Sequence, residues 1–442
     1  MIVFILGALI GVSVWRFLSD RRKYMLWFLA LYPVVCAFWG FRLFGLSAVD
    51  LLTGLFPAMS FALIALSPEM KGSAGKHTFL YCLFMAGFAV HPAIEWTSGR
   101  PAIESTGILL KVACGFCAYH LSYRLFTFRD RARIIRSLSI AVTVTLIMSI
   151  GQLATGIGLE AHEKAYIQGV YHDPGMYSRM ALLGFALSLP FVSLGKFARP
   201  NGASAAGFVF WPMLLFSMMT MAYSISRNVI ICAAAVAVMF AIIRRAPIVL
   251  VTVVAFGAML WLVAPVVRST MAEKWSTELA LLDGVPSVTV EQVGSGRIGV
   301  WMEAYEEFKD GSTWQRLIGR GEGIGPHGQW IGILLRNGVI GALIAFIFYT
   351  RVWLHSLRIA LKNREQRDSI IPLLVATSIM VLSLASSPFY TFILQMVLFS
   401  LLAIWEQKAP RVYVPRPLPA RAAQGPPSQW DNHRVRREPR RR

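Results

Sequence analysis

A chain of 442 residues is ordinarily long enough for two or three soluble domains, but 56% of this one is hydrophobic, only 15% is charged and the mean hydropathy is +0.57. A soluble fold of this size could not hide so much apolar surface, and the solidly apolar runs lack the alternation of a membrane β-barrel, so the expected class is an all-α polytopic membrane protein. The net charge of +20 is not read as a nucleic-acid signature, because the basic residues gather at the ends of apolar runs and in the last stretch of the chain.

In chain order, apolar runs near the ~20 residues that cross ~30 Å of hydrocarbon are predicted at 2–19, 24–44, 47–67, 78–96, 106–127, 137–156, 179–196, 205–224, 228–243, 247–266, 328–350, 370–386 and 389–405. The first begins without a basic leader or a small-residue cleavage site and is expected to be retained. Twelve spans rather than thirteen result if a weak run, the first or the 47–67 stretch with Asp50, does not cross. Transmembrane helices 1–10 then occupy 1–265, a hydrophilic loop with an amphipathic helix 266–325, helices 11–13 residues 326–406, and a tail 407–442.

Charge orients the set. Arg21, Arg22 and Lys23 follow the first run, and Arg129, Arg131, Arg133 and Arg136 follow the fifth. Lys196 and Arg199 follow the seventh, Arg244 and Arg245 the ninth, and Arg351, Arg358, Lys362, Arg364 and Arg367 the eleventh. Alternating spans put all of these on one side, which the positive-inside rule makes cytoplasmic. The loop from Val266 to Gly325 carries six Lys/Arg against nine Asp/Glu, the opposite balance, and is expected in the periplasm. The tail, rich in Pro, Arg and Gln, cannot build a core and is expected to bind anionic lipid headgroups from the cytoplasmic side, with no nucleic-acid role.

All five cysteines lie in apolar runs, and the pair Cys114 and Cys117 has no second pair to complete a metal or redox motif, so buried free thiols are expected. His77, His120 and His355 fall at cytoplasmic span ends and carry no assigned chemistry.

Charges on the outer side are more informative, because topology does not require them there. Arg227 opens the ninth run after Ser226; on position alone it is either a snorkelling residue or a site residue. Arg297 begins a stripe of Ile298, Trp301, Tyr305 and Phe308, spaced as one face of an amphipathic helix with Ser295 as its cap, and is otherwise a surface charge. The loop ends in Gly319, Gly321, Gly323 and Gly325, followed by Pro326 and His327 at a helix start. This is not a Walker A sequence, but free N–H groups there would suit an anion. A histidine in that place is either a hydrogen-bonded structural residue or a titratable group near neutral pH.

His327-Gly-Gln-Trp-Ile331, followed by Gly338 and Gly341, resembles the signature of the O-antigen ligase and Wzy-type polymerase superfamily. Ser226-Arg227 resembles the family's Ser-Arg motif, Gly296-Arg297 with Trp301 its loop motif, and Gly169-Val-Tyr-His172-Asp-Pro174 the segment before its middle spans. The resemblance covers about residues 165–345. Gly328 departs from the usual Asn or Ser, and Arg336-Asn337 from a common acidic residue. The resemblance implies a GT-C-like membrane glycosyltransferase of the bacterial inner membrane, with no cofactor and no essential metal. It would take a glycan from undecaprenyl pyrophosphate at the periplasmic face. Arg227 and Arg297 would hold the pyrophosphate and His327 would orient or deprotonate the acceptor hydroxyl; Arg320, Arg179, His172, Asp173 and Tyr177 are secondary substrate contacts. The expected activity is a polymerase of exopolysaccharide, capsule or O-antigen repeat units, whose acceptor is the growing polysaccharide. The alternatives are a ligase to lipid A-core, a protein O-oligosaccharyltransferase and, from another class, a lipid-linked glycan transporter.

Overall fold

The structure is a computed structural model that describes residues 2–36, 42–43, 46–70, 75–99, 102–155, 174–192, 204–224, 226–263, 296–321, 328–386 and 392–407, with scattered positions from 265 to 283. Its helices are α1 (Ile2–Ser19), α2 (Arg21–Cys36), α3 (Ala48–Leu66), α4 (Thr78–Thr97), α5 (Ile103–Leu125), α6 (Arg131–Thr155), α7 (Pro174–Val192), α8 (Ser204–Ser224), α9 (Arg227–Arg244) and α10 (Ile248–Val263). They are followed by α11 (Arg297–Lys309), α12 (Thr313–Ile318), α13 (Gln329–Lys362), α14 (Ile371–Ala385) and α15 (Phe392–Glu406). Every predicted run holds one helix, and α11 and α12 lie in the long connection. The bounds differ most at two places, while α6 and α7 begin six and five residues before the runs predicted for them. The second run ends as helix at Cys36 and is followed by a short antiparallel pair, Arg42–Leu43 (β1) with Leu46–Ser47 (β2). The eleventh continues as helix to Lys362.

Among the described residues, five helical segments are long and apolar enough to cross a membrane: Val49–Leu66, Thr78–Thr97, Arg227–Arg244, Gln329–Lys362 and Arg367–Leu384. Large apolar side chains such as Phe79, Ile147, Val254, Leu343 and Phe346 stand on the outer surface, as a lipid-facing all-α bundle requires. Inside, buried hydroxyls return to their own helix, where no water is available to them: Thr53 Oγ1 donates to the Val49 carbonyl at 2.7 Å and Ser378 Oγ to that of Leu374 at 2.9 Å. A ring cluster joins α4, α13 and α15, with Tyr81 4.6 Å from Phe399 and 4.8 Å from Phe348 between ring centroids.

The connections sort into two sets by contact. Arg131 Nε donates to Asp368 Oδ2 at 2.7 Å, Arg244 Nη2 to the Gln366 carbonyl at 2.8 Å, and Gln407 Nε2 to the carbonyls of Tyr123 and Phe126 at 2.7 and 2.6 Å. These bonds join the connections after α5, α9 and α13 and the end of α15, which the charge count puts on one side. At the far ends of the helices, His91 Nε2 meets the Ile318 carbonyl at 2.8 Å and Gln329 N donates to the Ser386 carbonyl at 3.1 Å. The thiols divide too. Cys114, Cys117 and Cys232 are buried, but Cys82 is exposed on α4, because its position on the helix turns it away from the packed face.

Candidate functional site

At the end of the bundle where α9 and α13 begin, Arg227 is the first residue of α9 and follows Ser226 in extended conformation. Its guanidinium lies 5.4 Å from the centre of the Trp275 ring, within the ~6 Å reach of a cation–π contact. Arg297 is the first residue of α11. Gly296 precedes it at φ +76° and is the capping residue, in place of the predicted Ser295, which lies outside the described residues.

Arg297 is half-buried, and burial first, then the positive charge of Arg227, lowers its pKa from the ordinary arginine value. An arginine so far above neutrality stays cationic. Two guanidiniums from distant parts of the sequence thus lie near enough for each to feel the other's charge, an arrangement that would suit an anion accepting from both.

The amphipathic helix packs differently from its predicted stripe. Trp301 and Phe308 are half-buried and Ala304 is buried, whereas Tyr305 is exposed. Trp301, one turn beyond Arg297, packs against Gly328 at the start of α13. A Cβ at residue 328 would stand 2.9 Å from Trp301 Nε1 and 3.4 Å from the Leu384 carbonyl. The indole occupies the space a side chain would need, which gives the departure at residue 328 a local cause. His327, the residue before it, lies outside the described residues, as do His172 and Asp173.

The helix α13 is broken at Gly338, whose φ of 64° and ψ of −170° fall in a region open essentially to glycine alone. The glycine-rich loop fills the break. Arg320 N donates to the Leu335 carbonyl at 2.9 Å and Gly321 N to that of Arg336 at 3.2 Å, so acceptors freed by the kink are met by loop amides. A Cβ on Gly338 would approach the Leu317 carbonyl to 2.3 Å, and one on Gly319 would strike the Arg336 backbone. The Asn337 side-chain amide donates to the Gly87 carbonyl at 3.0 Å, which ties the break to α4. Above that tie stand His91 on Ile318, and Glu95, which accepts from Ser105 Oγ.

The secondary candidates are distributed as follows. Arg320 spends both terminal nitrogens on Glu307, one on the carboxylate at 3.1 Å and one on the carbonyl at 2.7 Å, and so clamps α11 to the loop. Tyr177 is fully buried in α7, its hydroxyl 3.5 Å from Thr220 Oγ1 of α8. That contact sets the start of α7, with half-buried Arg179, level with the α8–α9 turn. The arrangement thus brings Arg227 and Arg297 together and uses Arg320 as a structural clamp. Sequence reasoning missed His91, Glu95, Asn337 and the loop-filled break. The signal for the break was the polar triplet Arg336-Asn337-Gly338 inside an apolar run.

No family model and no curated protein matches this chain.

Proposed function

We propose that the chain is a multi-pass membrane glycosyltransferase that moves a glycan from a lipid pyrophosphate to an acceptor sugar at the periplasmic face of a bacterial inner membrane. The observation that carries this reading is the placing of Arg227 and Arg297, the first residues of α9 and α11, near enough for the charge of one to lower the pKa of the other, a grouping that suits a dianionic ligand. A pyrophosphate leaving group gains charge as the glycosidic bond breaks, and two preorganised guanidiniums would stabilise that charge more in the transition state than before it. Trp275 lies against the Arg227 guanidinium and adds a cation–π contact to its positioning.

In this reading twelve or thirteen helices cross the membrane in a GT-C-like arrangement, the 266–325 loop is periplasmic and the basic 407–442 tail is cytoplasmic. His327 orients or deprotonates the acceptor hydroxyl. A polymerase of repeat units is favoured over a ligase to lipid A-core by the changed surroundings of the acceptor histidine, where Trp301 holds the space beside Gly328. Deletion separates the two: loss of a polymerase leaves single repeats, and loss of a ligase leaves long chains on the lipid carrier. Transfer is assayed in membranes with a lipid-linked oligosaccharide. The His327→Ala and Arg227→Ala variants should each lose it, and unchanged transfer in both would sink the assignment.

A further inference from the structure

At the opposite end of the bundle, three side chains from distant parts of the sequence converge. His77 Nε2 lies 3.1 Å and His355 Nε2 3.4 Å from the same oxygen, Glu406 Oε1. The three ligand atoms lie within 4.8 Å of one another. His77 and the Glu406 carboxylate are almost fully enclosed, while His355 keeps 19% of its side chain open. The three atoms are buried without a well-formed hydrogen bond among the described residues, although both nitrogens stand at ion-pair distance from Glu406 Oε1. Buried polar atoms are normally satisfied, and three that point at one spot without bonding each other need a different explanation.

A cation supplies it. In a tetrahedral site with bonds of about 2.1 Å, neighbouring ligand atoms stand about 3.4 Å apart, close to the two nitrogen–oxygen separations of 3.1 and 3.4 Å. The second carboxylate oxygen is already committed: Glu406 Oε2 accepts from Tyr119 Oη at 2.5 Å and from Lys76 N at 3.1 Å. Such outer bonds fix a ligating carboxylate and leave its other oxygen facing the metal. The backbone makes room for them. Gly75 has φ +73°, and a Cβ there would stand 2.3 Å from Tyr119 Oη and 2.5 Å from Glu406 Oε2. An ion pair between a protonated histidine and Glu406 would account for one imidazole and leave the Nε2 of the other, neutral one without a hydrogen bond among the described residues.

We propose that His77, His355 and Glu406 form a site for one divalent transition-metal ion of the zinc class, with the open fourth position on the exposed side of His355. Two imidazoles and a carboxylate are borderline ligands of the kind zinc takes. The site ties the start of α4 and the ends of α13 and α15, far from the Arg227–Arg297 pair, and is independent of the transfer reaction.

The test uses the full chain purified in detergent with an affinity tag free of histidine, stripped with EDTA, reloaded with zinc sulfate and dialysed. Elemental analysis should find close to one zinc per chain, and melting should shift upward on reloading. The His355→Gln and Glu406→Gln variants, monodisperse by gel filtration, should lose the zinc and the shift. Tyr119→Phe, which removes only an outer bond, should weaken zinc binding by about 10- to 100-fold in competition with a chromophoric chelator. Cobalt should give the visible absorption of a tetrahedral site in the wild type, a readout that needs no variant to fold. A wild type that takes up no zinc and shows no cobalt band, or equal zinc in wild type and His355→Gln, would overturn the proposal.

Discussion

Arg297 is held close to a second arginine and half out of water, and neither condition helps the fold. On the proposed reading, Arg297 stands there to hold the pyrophosphate. Arg297→Lys retains the charge but loses the planar fork that donates to two phosphate oxygens, and should cut transfer markedly; Arg297→Ala should cut it by roughly 10²- to 10³-fold, the scale of a lost transition-state donor. Both are read as initial rates in membranes with a lipid-linked donor, and rates within a factor of two of wild type would contradict the role. Gly328 makes the complementary case, for packing. Gly328→Asn would push a Cβ to 2.9 Å from Trp301 Nε1 and should destabilise the protein by about 1–3 kcal/mol, seen as a lower melting temperature in detergent. Adding Trp301→Ala should recover part of that loss beyond what the two single variants predict; a purely additive result would show that the indole is not what excludes the side chain. Arg227 and Arg297 stood out in the sequence because the charge count assigns them to the outer side, where topology gives cations no reason to be; the structure places both at helix starts, with the charge of one felt by the other. The role of Arg320 was not legible, since nothing in the sequence pairs this loop residue with Glu307, thirteen residues earlier on α11.

Among the elements, the long helix α13 teaches most. The runs themselves were legible, because apolar stretches bounded by arginine clusters leave little choice of start and stop. The break at Gly338 was not, because Val339, Ile340 and the apolar residues after them read as an unbroken continuation. What fixes it is tertiary: the Arg320 and Gly321 amides take the carbonyls that the kink releases. Gly338→Ala places a side chain in a region closed to it and against the Leu317 carbonyl. It should expel the loop and lower the melting temperature; an unchanged melting curve would mean that the kink relaxes without harm. His91→Ala acts on the same contact from α4. It removes the partner of the Ile318 carbonyl and should speed hydrogen exchange at the Arg320 and Gly321 amides while leaving the α15 amides protected. Uniform exchange across both would show that His91 does not secure the loop. Cys82 was misread for a simpler reason: an all-round apolar helix has no pattern to say which face meets its neighbours.

For the whole molecule, the two sets of contacting connections turn a charge count into a threading that can be tested. Single cysteines at Ser98 and Asp283 should react with a membrane-impermeant maleimide from outside intact spheroplasts, and cysteines at Arg129 and Asn363 only after lysis. The reverse pattern would invert the bundle and put the arginine pair on the wrong side for a flipped donor. The five segments long and apolar enough to cross a membrane, among the described residues, anchor that threading. The central claim, that one pyrophosphate spans Arg227 and Arg297, is tested most directly by the affinity of the purified protein for undecaprenyl pyrophosphate. Wild type, Arg227→Ala, Arg297→Ala and the double variant are compared under one detergent and salt condition. Each single change should weaken binding by roughly 10-fold or more, as expected for a charged hydrogen-bond partner, and the double change by less than the product of the two, because the arginines share one ligand. Equal affinity in all four proteins would contradict the account.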